Sequence, residues 1–190
     1  LFACVATLAL QASAADAPAT VARIKLLSPP KDPLRETVLI GRGVSDGLTT
    51  TLEIEGAEAM WMQTGTPPMW SEHVPASGER FHIEVKTTDN KTRTRLPYSI
   101  VNFSATNHDS GKVVAMALPP MWGGSGLHYS ENCALSGDGT YAATVTVGVP
   151  SFAREMKDMG LWAKPVVFHF HFKLKDGLLT EVSAPAAATN

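Results

Sequence analysis

The sequence predicts an all-β protein, an antiparallel β-sandwich, from three observations. Short segments alternate polar and apolar residues with the two-residue period of a half-buried strand. Gly, Pro, Asn and Asp bound these segments at the spacing typical of a sandwich, with neither an internal repeat nor a low-complexity tract. The chain has 190 residues, of which 44% are hydrophobic, so it can form one domain with a sizeable core.

Six segments carry the strand pattern and follow one another along the chain. The predicted strands are 49–55, 80–85, 98–106, 112–118, 140–147 and 166–174. A turn is predicted at 107–111, where Asn, Asp and Gly tolerate the required dihedral angles. Only the short segment 152–161 is predicted to be helical, and the glycine-rich segment 120–129 is predicted to be a loop between strands.

The first fifteen residues are apolar and uncharged and end in Ala12-Ser13-Ala14. They predict a truncated signal peptide and hence export to the periplasm, with a buried N-terminal helix as the alternative. Removal of the signal would leave Cys133 as the single cysteine, so no intrachain disulfide is expected. The predicted organisation is a signal peptide at 1–15, an N-terminal extension with a proline-rich turn at 16–48, a β-sandwich metal-binding domain at 49–180 and a flexible tail at 181–190.

Charge and motif content exclude several classes of function. The formal net charge is −2, and the absence of any long Lys/Arg run argues against nucleic acid as a partner. The sequence contains no G-x-S-x-G, phosphate-binding glycine loop, H-E-x-x-H or C-x-x-C motif. We therefore expect a protein that is not an enzyme.

The first candidate metal-ligating pair is His82 and Glu84. On a strand, residues two apart lie on the same face, so the imidazole and the carboxylate are neighbours. Such a pair can ligate a metal ion, or the carboxylate can orient a ligating histidine. A solvated polar face is the alternative for an isolated His-x-Glu.

The second candidate pair is Met121 and His128, within the segment 120–129. Its glycines allow the backbone to fold tightly, so that the thioether and the imidazole can converge. This donor set favours copper and can accept ferrous iron when a carboxylate joins it. A methionine that fills a gap in the core is the alternative for Met121.

Several collinear motifs resemble the periplasmic Fe²⁺-transport protein family over about residues 69–174. The segment 74–84 carries V-P-A-S-x-x-x-F-H-I-E, and Pro-Met followed by Gly-Leu-His-Tyr lies within 120–129. The remaining motifs are 97–112, which contains Pro-Tyr and T-N-H-D-S-G-K, then G-T-Y at 139–141 and W-A-K-P at 162–165. The resemblance implies an immunoglobulin-like β-sandwich that forms a homodimer, binds copper and iron and accompanies an iron permease of the inner membrane.

The resemblance also implies a set of ligands. The family's metal-binding residues correspond to His82, Glu84, Met121, His128 and, after a local shift of the alignment, Met69. Two family positions differ: a ligand histidine is Thr146 in this chain, and an aspartate of the Met-to-His loop is Ser125. The expected cofactors are a copper ion and an iron ion (Fe²⁺).

Two other functions stay open at this point: a metal-free immunoglobulin-like interaction module, and a periplasmic copper chaperone. Met60 and Met62 could add thioethers to a site but are predicted to fill the core or an interface. His169 and His171 alternate with phenylalanines, which predicts a solvated face, with a surface zinc or copper site as the alternative. Cys133 is predicted to be a small buried residue.

Overall fold

The structure is a computed structural model that describes residues 37–183 and, for residues 19–25, the backbone alone. In the six-strand half of the sandwich the strands are β1 (Ala19–Lys25), β7 (Val101–Asn107), β8 (Val113–Leu118), β11 (Gly139–Val147), β12 (Val166–Lys175) and β13 (Leu178–Val182). In the five-strand half they are β2 (Val38–Ser45), β3 (Leu48–Gly56), β6 (Phe81–Asp89), β9 (Pro120–Gly123) and β10 (Gly126–Cys133). A separate hairpin consists of β4 (Met60–Thr64) and β5 (Met69–His73).

The strand orders confirm the predicted all-β antiparallel sandwich. The six-stranded sheet has the order β1-β13-β12-β11-β7-β8, and the five-stranded sheet has the order β2-β3-β6-β10-β9. Each strand pairing found among the described residues is antiparallel. Central strands β6 and β10 therefore lie side by side, which positions the polar residues discussed below.

The core lies between the two large sheets. Alternate residues of β6, such as Ile83 and Val85, are fully buried and face alternate residues of the six-stranded sheet, such as Phe170. The sheets approach closely at β2, where a Cβ on Gly41 would lie 2.7 Å from the ring of Phe170. Glycine is required there because any side chain would push the two sheets apart.

The strand predictions from alternation agree with the structure. Each of the six predicted strands overlaps a strand, namely β3, β6, β7, β8, β11 and β12. The predicted turn at 107–111 is confirmed, because the Asn107 side chain accepts hydrogen bonds from the amides of Asp109 and Ser110. Strand β7 begins at Val101 rather than at residue 98, and Tyr98 has a φ of 57° that a strand does not permit.

Two local predictions were wrong. The segment 152–161 forms only a 3-10 turn, Met156–Asp158, with no buried residue. Met156, Met159 and Leu161 are exposed, so a helix there would bury too little apolar surface to be stabilised. The segment 120–129 is a hairpin of β9 and β10 rather than a loop, because its glycines confine the turn to 124–125.

The strands of the sandwich extend beyond both limits of the predicted domain at 49–180. Strand β2, in the predicted extension at 16–48, pairs with β3 as part of the five-stranded sheet, and β13 ends at Val182. The predicted signal peptide at 1–15 and residues 184–190 of the predicted tail lie outside the described residues. In the part of the chain that the structure describes, no helix is long and apolar enough to cross a membrane.

Candidate metal centre

A polar face on the five-stranded sheet gathers most of the predicted ligands. Because β6 alternates, Ile83 and Val85 enter the core while His82, Glu84 and Lys86 lie on the opposite face. This face is nevertheless buried, and His82 is 0% exposed. The segment after β3 covers it, since the backbone of Glu58 hydrogen-bonds to Asn132.

The tautomer of the neutral His82 ring is selected by Asn132, which lies opposite it on β10. The Asn132 Nδ2 group donates to the Glu58 carbonyl at 2.8 Å, and its Oδ1 accepts from the Glu58 amide at 3.2 Å. The carboxamide is thereby oriented so that Oδ1 faces Nδ1 of His82 at 3.1 Å. Nδ1 must therefore carry the proton, and the lone pair of the neutral ring is on Nε2.

The ring of His128 is oriented in the same way by the backbone of its own hairpin. Nδ1 lies 2.9 Å from the Gly126 carbonyl, which can only accept, so Nδ1 is the donor. Gly123 leaves room for the ring, because a Cβ there would lie 3.0 Å from its Cε1. The lone pair of the neutral His128 ring is then on Nε2, which lies 3.7 Å from Oε1 of Glu84.

The carboxylate of Glu84 is held by a buried lysine. Lys86 Nζ lies 3.0 Å from Oε2 of Glu84 and also pairs with Glu53. Burial by itself lowers the pKa of the Lys86 ammonium group, but the hydrogen bonds to Glu53 and Glu84 outweigh it, so the pKa is raised. Lys86 is therefore charged at neutral pH and orients Glu84 so that its other oxygen faces His128.

Three of the predicted ligands meet in one place. His82, Glu84 and His128 each offer a ligand atom, and these atoms lie within 4.8 Å of one another. Donors bound to a common transition-metal ion at about 2.1 Å lie about 3–4 Å apart, so a small contraction would enclose an ion. Nε2 of both histidines is buried and has no hydrogen-bond partner among the residues that the structure describes. A metal ion would satisfy both nitrogens, so the residues present fit one.

The structure places Met121 beside this group and Met69 apart from it. Met121 lies opposite His128 in the β9–β10 register, and its sulfur accepts a hydrogen bond from Ser130 Oγ at 3.1 Å. Ser130 in turn lies opposite Glu84. Met69, by contrast, begins strand β5 of the separate hairpin with a 70% exposed side chain. The structure does not bring Met69 together with the other predicted ligands.

Thr146 lies on β11, in the six-stranded sheet, and is paired in register with Asn102 and Val167. The family resemblance implies a ligand histidine at this position. Within one chain, however, Thr146 lies on a different sheet from His82 and His128. Met60 is buried as predicted, whereas Met62 is exposed.

The predictions for His169 and Cys133 are confirmed, whereas the solvated face predicted for His171 is found only in part. His169 is exposed and His171 is half-buried, between buried phenylalanines of β12. Cys133 is buried, and burial raises the pKa of its thiol to about 12.

Three residues around His82 were not predicted from the sequence: Glu55, Glu58 and Asn132. Asn132 could have been found, since it follows His128 and Ser130 at the two-residue spacing of one strand face. Glu55 shares a face of β3 with Glu53 and lies opposite His82, a register that alternation alone does not fix. Glu58 reaches the site through a loop, and no local pattern indicates that contact.

Residues 51–175 match the family described as Fe2+ transport protein. A UPF0423 protein of Brucella abortus (strain 2308) is 32% identical over 114 residues, which cover 52% of this chain and 63% of that protein. A UPF0423 protein of Brucella suis biovar 1 (strain 1330) gives the same values. The match therefore spans less than two thirds of the length of these relatives.

Two solved structures share the fold. FetP of uropathogenic E. coli strain F11 superposes with a TM-score of 0.61 and 20% identity, covering 73% of this chain and 96% of FetP. The copper-reconstituted P19 protein of Campylobacter jejuni gives a TM-score of 0.63 and 22% identity, covering 74% of this chain and 97% of P19. At these identities the similarity establishes the β-sandwich fold.

Proposed function

This chain belongs to the Fe²⁺ transport protein family, and we propose from that premise that it is a periplasmic metal-binding protein that assists iron uptake. In this proposal His82, Glu84 and His128 bind copper or ferrous iron, with Met121 as a further ligand. The bound ion is presented to an iron permease of the inner membrane. The protein acts by binding and not by catalysis, and it works as a homodimer.

One observation carries the proposal: two buried imidazoles have their Nδ1 protons engaged, while their Nε2 atoms have no hydrogen-bond partner within the described part of the chain. A buried polar atom without a partner costs about 1–3 kcal/mol. Two such nitrogens lie next to one carboxylate, and a cation bound to both nitrogens would remove this cost. A purely structural role would be served by apolar residues at these positions, without this cost.

The donor set supports copper and iron as the ions. Two imidazoles and a thioether suit copper, and the carboxylate of Glu84 makes the same position acceptable to Fe²⁺. The P19 structure that shares the fold is copper-reconstituted, and the family is described by Fe²⁺ transport. Lys86 neutralises part of the charge of Glu84, so the carboxylate is available to an ion without an isolated buried charge in the metal-free protein.

The proposal is tested by thermal unfolding of metal-stripped protein with Cu²⁺, Cu(I) and anaerobic Fe²⁺. An ion that binds only the native state stabilises it by about 2.7 kcal/mol when present at 100 times its dissociation constant. We expect the midpoint to rise with copper and with Fe²⁺, and the rise to disappear in His128→Ala. The matched control is His169→Ala, which removes an exposed imidazole from β12 and should leave the rise intact.

Other results of the unfolding experiment would favour one of the two alternative functions. A rise with copper alone would favour a periplasmic copper chaperone, since thioether and imidazole ligands retain Cu(I). No rise with any of the three ions would overturn the proposal and favour a metal-free interaction module.

A further inference from the structure

The Met121 thioether is the donor of the metal centre that most needs a positioning contact. Met121 lies on β9, a four-residue strand at the edge of the five-stranded sheet, and its side chain is half-buried. Because a methionine side chain has three rotatable bonds, such an edge position leaves several orientations open to the sulfur. Only a further contact can select the orientation that directs the sulfur to an ion beside His128, the partner of Met121 in the β9–β10 register.

Ser130 provides such a contact. It is fully buried on β10, an interior strand of the sheet, and its backbone amide donates to the Pro119 carbonyl at 3.0 Å, immediately before β9 begins. Its hydroxyl group donates to the Met121 sulfur at 3.1 Å. One buried residue therefore holds both the backbone at the start of β9 and the thioether of that strand.

The hydroxyl group of Ser130 donates to the sulfur although a stronger type of acceptor is nearby. Glu84 lies opposite Ser130 in the β6–β10 register, and a carboxylate forms stronger hydrogen bonds than a thioether does. Oε2 of Glu84 is engaged by Lys86 at 3.0 Å, and Oε1 lies 3.7 Å from Nε2 of His128. Because the hydroxyl proton is directed to the sulfur, Oε1 of Glu84 keeps its lone pairs for an ion.

We propose that Ser130 is a positioning residue through which the metal centre retains Cu(I) in addition to Cu²⁺ and Fe²⁺. A thioether sulfur has two lone pairs, of which the hydroxyl group engages one and leaves the other for the ion. Thioether ligands favour Cu(I), whereas imidazole and carboxylate ligands suffice for Cu²⁺ and Fe²⁺. Ser130 thus affects which oxidation state of copper is held. This inference rests on the proposed function, in which Met121 is a further ligand.

The first test uses the metal-free protein and does not depend on any ion. Carbon-13 labelling of the methionine methyl groups gives NMR signals, and Met121→Leu identifies the signal of Met121. We expect Ser130→Ala to lower the order parameter of this methyl group, because the side chain gains rotamers once the hydroxyl group is absent. Ser104→Ala is the matched control, since it makes the same change on β7 of the other sheet. An unchanged order parameter in Ser130→Ala would overturn the inference.

The second test measures the affinities for Cu(I) and Cu²⁺ by competition with chelators, and the affinity for Fe²⁺ under anaerobic conditions. Ser130→Ala should weaken Cu(I) binding about tenfold, as for other residues that orient a metal ligand, and should leave Cu²⁺ and Fe²⁺ binding unchanged. The midpoint potential of the bound copper should then fall by about 59 mV, the one-electron equivalent of a tenfold change. Circular dichroism of each metal-free variant verifies its folding.

Two further measurements show whether Ser130 acts through the sulfur. X-ray absorption of the Cu(I)-loaded protein should detect a sulfur ligand in the unmodified chain and a diminished sulfur contribution in Ser130→Ala. In a chain that already carries Met121→Leu, Ser130→Ala should cause no additional loss of Cu(I) affinity, because the effects of two residues that act through one contact are not additive.

Three results would overturn the inference: equal Cu(I) affinity in Ser130→Ala and the unmodified chain, an equal loss for Cu(I), Cu²⁺ and Fe²⁺, or an effect of Ser130→Ala that persists beside Met121→Leu. Each of them leaves the proposed function standing if Cu²⁺ binding still depends on His128. Cu²⁺ binding that is insensitive to His128→Ala would refute the proposed function instead, so the two failures are distinguishable.

Discussion

Replacing Asn132 by alanine is expected to weaken both the fold and metal binding, because its carboxamide connects the covering segment to the His82 ring. The buried side chain makes three hydrogen bonds, two with the backbone of Glu58 and one with Nδ1 of His82. Without it, the His82 ring is free to move its proton from Nδ1 to Nε2 and donate to Glu58, 3.5 Å away. That tautomer has no lone pair for a metal at Nε2.

The size of the effect follows from these contacts. In either tautomer the buried Nδ1 atom is left without a partner, which costs about 1–3 kcal/mol, and each of the two lost hydrogen bonds to the Glu58 backbone costs about 1 kcal/mol. Because Glu58 is near solvent, with a 17% exposed side chain, water can replace part of the hydrogen bonding that its backbone loses. We therefore expect Asn132→Ala to lower the free energy of unfolding of the metal-free protein by about 3 kcal/mol. The affinity for copper should fall about 10- to 100-fold, as for other partners that orient a metal-bound histidine.

Urea unfolding of the metal-free protein measures the first effect, and a competition titration with a copper chelator measures the second. Asn102→Ala is the matched control: Asn102 is an exposed asparagine on β7, and its replacement should change the free energy of unfolding by no more than about 0.5 kcal/mol. Copper affinity in Asn132→Ala equal to that of the unmodified chain would refute the argument that Asn132 fixes the ligating tautomer of His82.

Three other predictions concern the fold. Burial raises the pKa of the Cys133 thiol to about 12. In a chain whose other cysteine is replaced by serine, this thiol should therefore not react with a thiol reagent at about pH 8 until the protein unfolds. Rapid labelling of the native protein would contradict this prediction. At Asp138, hydrogen bonds donated by two backbone amides of the β12–β13 turn hold the carboxyl pKa below its usual 3.8. A lowered folded pKa stabilises the fold above the unfolded pKa, and the gain is lost as the pH falls through the folded pKa. Asp138→Asn should therefore lower the urea midpoint at pH 7 more than at about pH 2, and an equal change at both would count against it. Gly139 has a φ of 142°, and a Cβ there would lie 2.8 Å from Nδ2 of Asn107, so Gly139→Ala should cost about 1–3 kcal/mol of unfolding free energy, whereas Gly160→Ala, in open space, should be near neutral.

The sequence was sufficient for the parts of the fold that repeat every two residues. Alternation in β6 places His82 and Glu84 together on one face, and alternation in β12 separates buried Phe170 from exposed His169. These predictions succeed because side-chain direction along a strand is a local property. The helix prediction for 152–161 failed because helical propensity is weak without an apolar face to bury, and Met156 is 85% exposed.

The rest of the candidate site depends on contacts between residues distant in sequence. Glu58 and Asn132 are 74 positions apart, and their hydrogen bonds depend on how the segment after β3 folds over β10. The convergence of His82 and His128 also requires the β6–β10 register, which the alternating pattern leaves undetermined. The resemblance to a family grouped His82 with His128, which periodicity could not do, but it supplied neither Glu58 nor Asn132, and it added Met69, which lies on the separate hairpin.

The most direct test of the account is X-ray absorption at the copper edge of protein loaded with one equivalent of Cu²⁺, which counts the imidazole ligands. We expect two imidazoles per copper ion, a number that falls to one in His82→Ala and in His128→Ala and is unchanged in His169→Ala. Two imidazoles retained in both single variants would place the copper elsewhere and contradict the assignment of His82 and His128 as its ligands.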